Sequence, residues 1–341
     1  MIKADYLLIR MDRIGDLVLT LPVDSCDLLK NSSSHWFINK GMGFIPEHSS
    51  PQRKFTELSL DFSWKTFKDT IGLIKNMSPK AVVVFYAPWW ISLAVWLAGV
   101  SVRVGRLSQW HSFLFFNYGI RQSRSEAVYH EYIYNLRLLK RGFLRAKLTK
   151  GLHDASKMED GNSLKLTCNN QEIVKKHNLT AKQYIVVHPG MRSSALNWPC
   201  SHYIQFIKKL LTHHKVAITG TAGDRQYLAP LQLALDEHKN LIWLNEKLDT
   251  SELICILEQA KGVVAPSTGV VHLAASTGTP TLGLYSPIKV EGSTRWSPRG
   301  ACTAHVTPEF DPDNSSKDIM AHLSVDRVYL TFLELVEANE H

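Results

Sequence analysis

The 341-residue chain is poor in cysteine, and its five (Cys26, Cys168, Cys200, Cys255, Cys302) form no CxxC pair. An odd, scattered set argues against a disulfide framework or a zinc ribbon and for a reducing compartment. Histidine is plentiful, 15 in all, yet no HExxH or similar ligand spacing occurs. The adjacent His213 and His214 would point apart on a helix, so no metal site is expected. No GxGxxG follows the first strand pattern, which counts against a dinucleotide oxidoreductase. The stretch GTAGDR (220–225) lacks the Gly-Lys-Ser/Thr ending of a P-loop. There is no long basic block, so nucleic acid ranks lowest among anionic partners. The opening MIKADYLLIRMDRIGD has neither an apolar core nor a small-residue cleavage site and is not read as a signal peptide.

The composition is that of a folded protein, 45% hydrophobic and 21% charged, and the length suits two domains of ordinary size. Lys and Arg number 39 against 31 Asp and Glu, a net charge of +8. That excess favours phosphorylated small molecules or anionic lipid. One stretch, AVVVFYAPWWISLAVWLAGV (81–100), is uncharged and about as long as a membrane span. Pro88 divides it, so AVVVFY reads as a buried strand and WWISLAVWLAGV as an apolar helix ending at Gly99. Trp89 and Trp90, at the start of that helix, could instead lie against a membrane surface.

Strand and helix patterns alternate along the chain. Strand candidates are YLLIR (6–10), HWFIN (35–39), AVVVFY and VRVG (102–105). GDLVLTLPVDSCDLLK reads as the helix after the first strand, with a kink or break at Pro22. FKDTIGLIKNM (67–77) and HEYIYNLRLLKR (130–141) show helical spacing. Between about 142 and 170 the pattern weakens into a polar linker. It then restarts with the strands YIVVHPG, KVAITG, LIWLN, GVVAPS and TLGLYSP, each separated by a helix. This alternation predicts an α/β protein of two doubly wound, Rossmann-like domains facing a central cleft. The expected boundaries are 1–165 and 166–324, with a last helix over 325–338.

Three corners at carboxyl ends of strands carry candidate chemistry. In RMDRIGD, Arg10, Arg13 and Gly15 lead to Asp16 at a helix start. It is either a plain acidic cap or a general base facing the cleft. In HPGMRSSALNWP (188–199), Gly190 releases the chain. Arg192, Ser193 and Ser194 then supply a cation and hydroxyls for a phosphate, or merely a solvated turn. In GVVAPSTGVVHLAAS (262–276), Ser267 or Thr268 can cap a helix, and Gly269 permits close backbone approach. His272 lies on the face of Thr268, either packed in the core or reaching a bound anion. Asp224, after the strand KVAIT, is a fourth candidate, for ribose hydroxyls.

These motifs, in this order, resemble the family-9 glycosyltransferases, the heptosyltransferases of lipopolysaccharide core assembly. The likeness runs through RMDRIGDLVLTLP, VRVG, HEYIYNLRLL, VVHPG, NWP, ITGTAGDR, STGVVHLAASTGTPTLGLYSP and RWSP. It implies the two-domain GT-B fold, an N-terminal acceptor-binding domain and a C-terminal domain holding a nucleotide-sugar donor. It also implies that no cofactor or metal is needed, and that the last helix packs back on the first domain. Asp16 matches the family's proposed catalytic carboxylate. Thr268, Gly269 and His272 match the donor-diphosphate loop and helix, and Asp224 a ribose contact. Two positions depart from the pattern: Leu196 stands where the family commonly has Lys, and Ser267 where heptosyltransferases commonly have Asp.

The expected reaction is inverting transfer from a nucleotide-diphosphate sugar to a lipopolysaccharide-core or similar glycan. The enzyme is expected in the cytoplasm, in peripheral contact with the inner leaflet, where it meets an anionic glycolipid acceptor. Leu196 and Ser267 keep open a second reading, a catalytically weak or silent nucleotide-sugar-binding protein. A nucleotide-sugar epimerase of the same fold is a third.

Overall fold

The computed structural model describes residues 3–149, 162–168, 170, 172–191, 195–235, 238–309 and 318–339. The chain divides into two compact units. Residues Met1–Ser125 with Tyr129–Leu164 form the first, and Glu126–Val128 with Lys165–His341 the second.

In the first unit the strands are β1 (Tyr6–Arg10), β2 (Ser34–Asn39), β3 (Phe55–Leu58), β4 (Ala81–Tyr86), β5 (Val102–Arg106) and β6 (Tyr118–Ile120). The helices are α1 (Ile14–Val18), α2 (Phe44–His48), α3 (Trp64–Met77), α4 (Trp89–Leu97), α5 (Trp110–Phe115) and α6 (Glu131–Arg145). All paired strands run parallel, in the order β3-β2-β1-β4-β5-β6. A parallel sheet covered on both faces needs strands apolar on both sides. The central β1 and β4 meet that requirement, being buried almost throughout. Phe67, Ile74 and Met77 of α3 and Trp90, Ile91, Ala94 and Val95 of α4 close one face over Leu7, Ile9, Val82 and Val84.

The uncharged stretch 81–100 is therefore a strand, a corner and a nine-residue helix. Gly99 at φ +78° ends it in the left-handed region that glycine enters freely. Among the described residues no helix is long and apolar enough to cross a membrane. The long helix expected after β1 is absent. α1 stops at Val18, and Leu21–Ser25 forms a single 3-10 turn with Pro22 in its first positions. Proline has no N–H to continue a helix, and Thr20 Oγ1 turns back 2.6 Å to the Asp16 carbonyl.

The second unit repeats the plan. Its elements are α7 (Glu172–Lys176), β7 (Tyr184–Val187), α8 (Cys200–Leu211), β8 (Lys215–Ile218), α9 (Arg225–Leu235), β9 (Leu241–Trp243) and α10 (Thr250–Glu258). They continue with β10 (Gly262–Pro266), α11 (Gly269–Ser276), β11 (Thr281–Leu284), α12 (Ser293–Trp296), β12 (Thr303–Val306) and α13 (Val325–Glu337). The strand order β12-β11-β10-β7-β8-β9, again parallel, is that of the first sheet. Asp249 starts α10 with a reciprocal cap, accepting from Glu252 N at 2.8 Å while Glu252 Oε2 accepts from Asp249 N at 3.2 Å.

Two expectations need correction here. α13 does not belong with the first unit: Val325, Val328, Phe332 and Val336 join the second unit's core with Trp198, Tyr203 and Phe206. Its apolar stripe is covered by α8, β11 and β12, and Lys209 Nζ holds Asp326 at 2.5 Å. Cys168 and Cys255 form a disulfide, with Cα atoms 5.1 Å apart across 87 residues of sequence. Spacing along the chain carried no sign of that pair, because the fold alone brings the segment before α7 to α10. The cysteine argument for a reducing compartment falls with it.

Candidate active site

In a doubly wound sheet, ligands bind beyond the carboxyl ends of the strands, where the strand order reverses. In the first unit that point lies between β1 and β4, which pair directly, with Met11 N donating to the Tyr86 carbonyl at 3.0 Å. RMDRIGD emerges there. Arg10, the last residue of β1, is buried, and its guanidinium organises the corner. Nε donates to Asp12 Oδ1 at 2.7 Å, and Nη2 holds Asp16 Oδ1. Nη1 faces Glu131 Oε1 at 3.5 Å and Asn135 Oδ1 at 3.4 Å.

Behind Arg10, Glu131 also pairs with Arg124, and Arg124 Nη2 reaches Asn135 Oδ1 at 3.0 Å. Asn135 Nδ2 donates to Thr20 Oγ1 at 2.9 Å, closing the network back on the backbone of Asp16. Asp16 is thereby fixed at both its carboxylate and its carbonyl. Arg13, at the cap position of α1, is exposed and makes no ion pair among the described residues.

Three carboxylates, Asp12, Asp16 and Glu131, gather around the Arg10 guanidinium in a poorly hydrated place. Burial pushes the Asp12 carboxyl up to about 7; Asp16 and Glu131 add to the shift and Arg10 opposes it. Burial alone would lower the Arg10 guanidinium, but Asp12, Asp16 and Glu131 drive it above its ordinary range.

In the second unit the order reverses between β7 and β10, and two of the expected corners sit there. After β10, Thr268 is the cap residue of α11, in extended conformation with no side-chain capping bond. Its hydroxyl is buried and without a hydrogen-bond partner among the described residues. A buried hydroxyl left free beside the unsatisfied N–H groups of a helix start suits an anionic oxygen. His272, one turn on, is buried. Tyr285, just after β11, is buried, and its hydroxyl donates 2.6 Å to the Trp296 carbonyl. Tyr285 thus ties LYSP to RWSP.

After β7, His188 Nδ1 lies 3.0 Å from Thr219 Oγ1, and burial lowers its pKa to about 4 despite the nearby Asp224 carboxylate. Asp224 is buried, and its Oδ2 accepts from Thr221 N and Oγ1 at 2.8 and 2.7 Å. A Cβ on Gly190 would fall 2.3 Å from Asp224 Cγ, so this loop can pass only as glycine. Asp224 therefore shapes the turn after β8, whatever else it contacts. Arg192, Ser193 and Ser194 lie outside the described residues. Leu196 packs against the second core, and its N–H donates to Glu291 Oε2 at 3.2 Å, so position 196 offers no cation. Among the described residues no three His, Cys, Asp or Glu side chains are grouped to hold a metal ion.

The structure thus brings Arg10 and Asp16 together in one unit and Gly190 with Asp224 in the other. Asp12, Thr20, Arg124, Glu131, Asn135 and His188 were missed as site residues. A signal for two of them was present: Glu131 and Asn135 are polar, one turn apart, on an otherwise apolar helix face.

The model of glycosyltransferase family 9 (heptosyltransferase) matches residues 124–322, more than half of the chain. The chain belongs to this family. A Haemophilus influenzae protein provisionally named a glycosyltransferase is 25% identical over 324 residues, 88% of this chain and 87% of that one. Among solved structures, ADP-heptose lipopolysaccharide heptosyltransferase II of Escherichia coli superposes with a TM-score of 0.78 at 14% identity, over 99% of this chain and 100% of that one. The E. coli heptosyltransferase WaaC with ADP gives 0.67 at 16% identity, over 97% and 99%. At these identities the structural matches show the GT-B fold shared with this chain.

Proposed function

We propose that this family-9 glycosyltransferase transfers a sugar from a nucleotide-diphosphate donor to a glycan acceptor with inversion, without a metal. The observation that carries the reading is the fixed carboxylate of Asp16 at the β1 switch point. In this mechanism Asp16 accepts the proton of the acceptor hydroxyl as that oxygen bonds to the anomeric carbon. The bond from that carbon to the diphosphate breaks, and the electron pair leaves with the nucleotide diphosphate. The N–H groups at the start of α11 and the Thr268 hydroxyl stabilise the departing charge, with His272 and Arg192 assigned to assist. Gly190, Ser193 and Ser194 belong to the donor loop, and Asp224 lies beside the ribose. Arg10, Arg13 and Gly15 form the acceptor side. Relatives acting on lipopolysaccharide support a heptose or related sugar as cargo and an anionic glycolipid as acceptor, met at the cytoplasmic face of the inner membrane.

The Asp16→Asn variant tests this reading: turnover should collapse while calorimetry returns nearly the parental nucleotide affinity. Unchanged turnover overturns the base assignment. Melting shifts with ADP, UDP, GDP and CMP and their sugars identify the donor, because a ligand of the native state raises its Tm. Leu196 and Glu291 favour a second reading, a nucleotide-sugar-binding protein without turnover. Binding in calorimetry with neither transfer nor hydrolysis in any donor and acceptor pairing would establish it.

A further inference from the structure

Three consecutive helices of the first unit, α3, α4 and α5, each begin on a tryptophan that stands in solvent. Trp64 is 70% exposed, Trp89 45% and Trp110 67%. Each helix follows a strand of one parallel sheet, so all three tryptophans mark its carboxyl edge, the edge from which the Asp16 corner also emerges. The three helices pack side by side in one layer. Phe62 joins the tips, its ring 5.9 Å from Trp89 in a stacked pair and 5.2 Å from Trp64 edge-on. Phe113 and Leu114 extend the apolar rim along α5. Soluble surfaces scatter single apolar residues; the contiguous cluster of Trp64, Phe62 and Trp89, with Trp110 at the same edge of the sheet, marks a contact surface.

Charge selects the occupant. Counted by region, the positive excess is uneven: residues 1–150 hold 21 of the 39 Lys and Arg but only 11 of the 31 Asp and Glu. Across 60–125, the span of this layer, the sequence holds eight basic and two acidic residues, although Lys80 pairs with Asp5 at the start of β4, Arg103 turns onto the Val100 and Phe115 carbonyls, and Arg124 is buried against Glu131. Lys65 and Lys68 flank Trp64, Lys65 being paired with Asp69 at 2.7 Å, and Arg121 lies 5.9 Å over the Phe113 ring. A second copy of the same face would set like charges against each other. Amphipathic aromatic tips with Lys65, Lys68 and Arg121 beside them match the headgroup boundary of an anionic bilayer.

We infer that the carboxyl edge of the first unit, tipped by Trp64, Trp89 and Trp110, docks on an anionic lipid surface. The docking does not depend on the transfer reaction. Only its consequence, delivery of a lipid-linked acceptor to the edge that carries Asp16, rests on that reading.

The test is flotation of the full chain with vesicles of phosphatidylcholine alone or mixed with phosphatidylglycerol. The expected result is association with the mixed vesicles at low salt, weakened by high salt, and none with phosphatidylcholine. Trp64→Ser with Trp110→Ser should lower that association roughly tenfold or more, and Lys65→Gln with Lys68→Gln several-fold. An unchanged Tm and unchanged nucleotide affinity identify folded variants, as expected for side chains so exposed. No association of the parent chain with anionic vesicles overturns the inference, and so does undiminished association of the folded tryptophan variant. A concentration-dependent dimer lost in that variant, without vesicle binding, assigns the face to self-association instead. None of these outcomes touches the Asp16→Asn result, so the two readings fail separately.

Discussion

The two units share one topology, strand for strand, and use it for different chemistry. The first carries the positive excess, an aromatic rim and a carboxylate locked by a buried guanidinium. In the second, acidic and basic residues nearly balance, and its exposed large hydrophobics among the described residues are all aliphatic. At the reversal point the first unit places a carboxylate held by Arg10, and the second a helix start whose Thr268 hydroxyl has no partner among the described residues. A fold that fixes only where loops emerge leaves their chemistry to a few residues, so function must be argued at the corners.

The contrast is most exposed to attack at Asp16. Asn there should lower turnover by ~10²–10⁴, the usual worth of a positioned base, and spare nucleotide binding to the second unit. If nucleotide affinity falls as far as turnover, the division of labour between the units is wrong.

Glu131→Gln should come next. It removes the charge of the fully buried carboxylate that Arg10 and Arg124 share. Breaking such a group costs about 3–5 kcal/mol, read in denaturant unfolding. The loss should fall on the first unit, with hydrogen exchange in β7–β12 barely altered.

Gly190→Ala is the counterpart in the second unit. Its Cβ collides with Asp224, and overpacking costs about 1–3 kcal/mol, with weaker nucleotide binding in calorimetry. A neutral outcome would mean that the loop after β7 is free to move.

The smallest effects concern pH, and there the units pull in opposite directions. The folded first unit favours protonated Asp12, with a pKa raised to about 7, so its contribution is complete below the ordinary carboxyl range and is lost as pH rises toward 7. The folded second unit favours neutral His188, with a pKa lowered to about 4. Its contribution is complete above the ordinary imidazole range and is lost as pH falls toward 4. Asp12→Asn should therefore flatten the decline on the alkaline side, and His188→Gln that on the acid side. Unfolding midpoints measured across this range check both signs.

Much of the frame was legible in the chain. AVVVFY read as a buried strand, Pro88 and Gly99 bounded the helix after it, and each proposed corner fell after a short apolar run. Short elements escaped: β3, β6 and β12 are strands of three or four residues whose pairing partners, far away in sequence, stabilise them. α13 was expected on the first unit from the resemblance alone, and its amphipathic stripe shows that the helix is covered without showing by what.

Sequence by itself determined the alternation, the two sheets and the residue types at their carboxyl edges, because periodicity and turn chemistry are local. Only the tertiary structure decided that Arg10 is shared among three carboxylates, that Cys168 meets Cys255, and that three helix-opening tryptophans stand on one edge. Each of these depends on distances between residues remote in the chain, and those distances are set by how the elements pack.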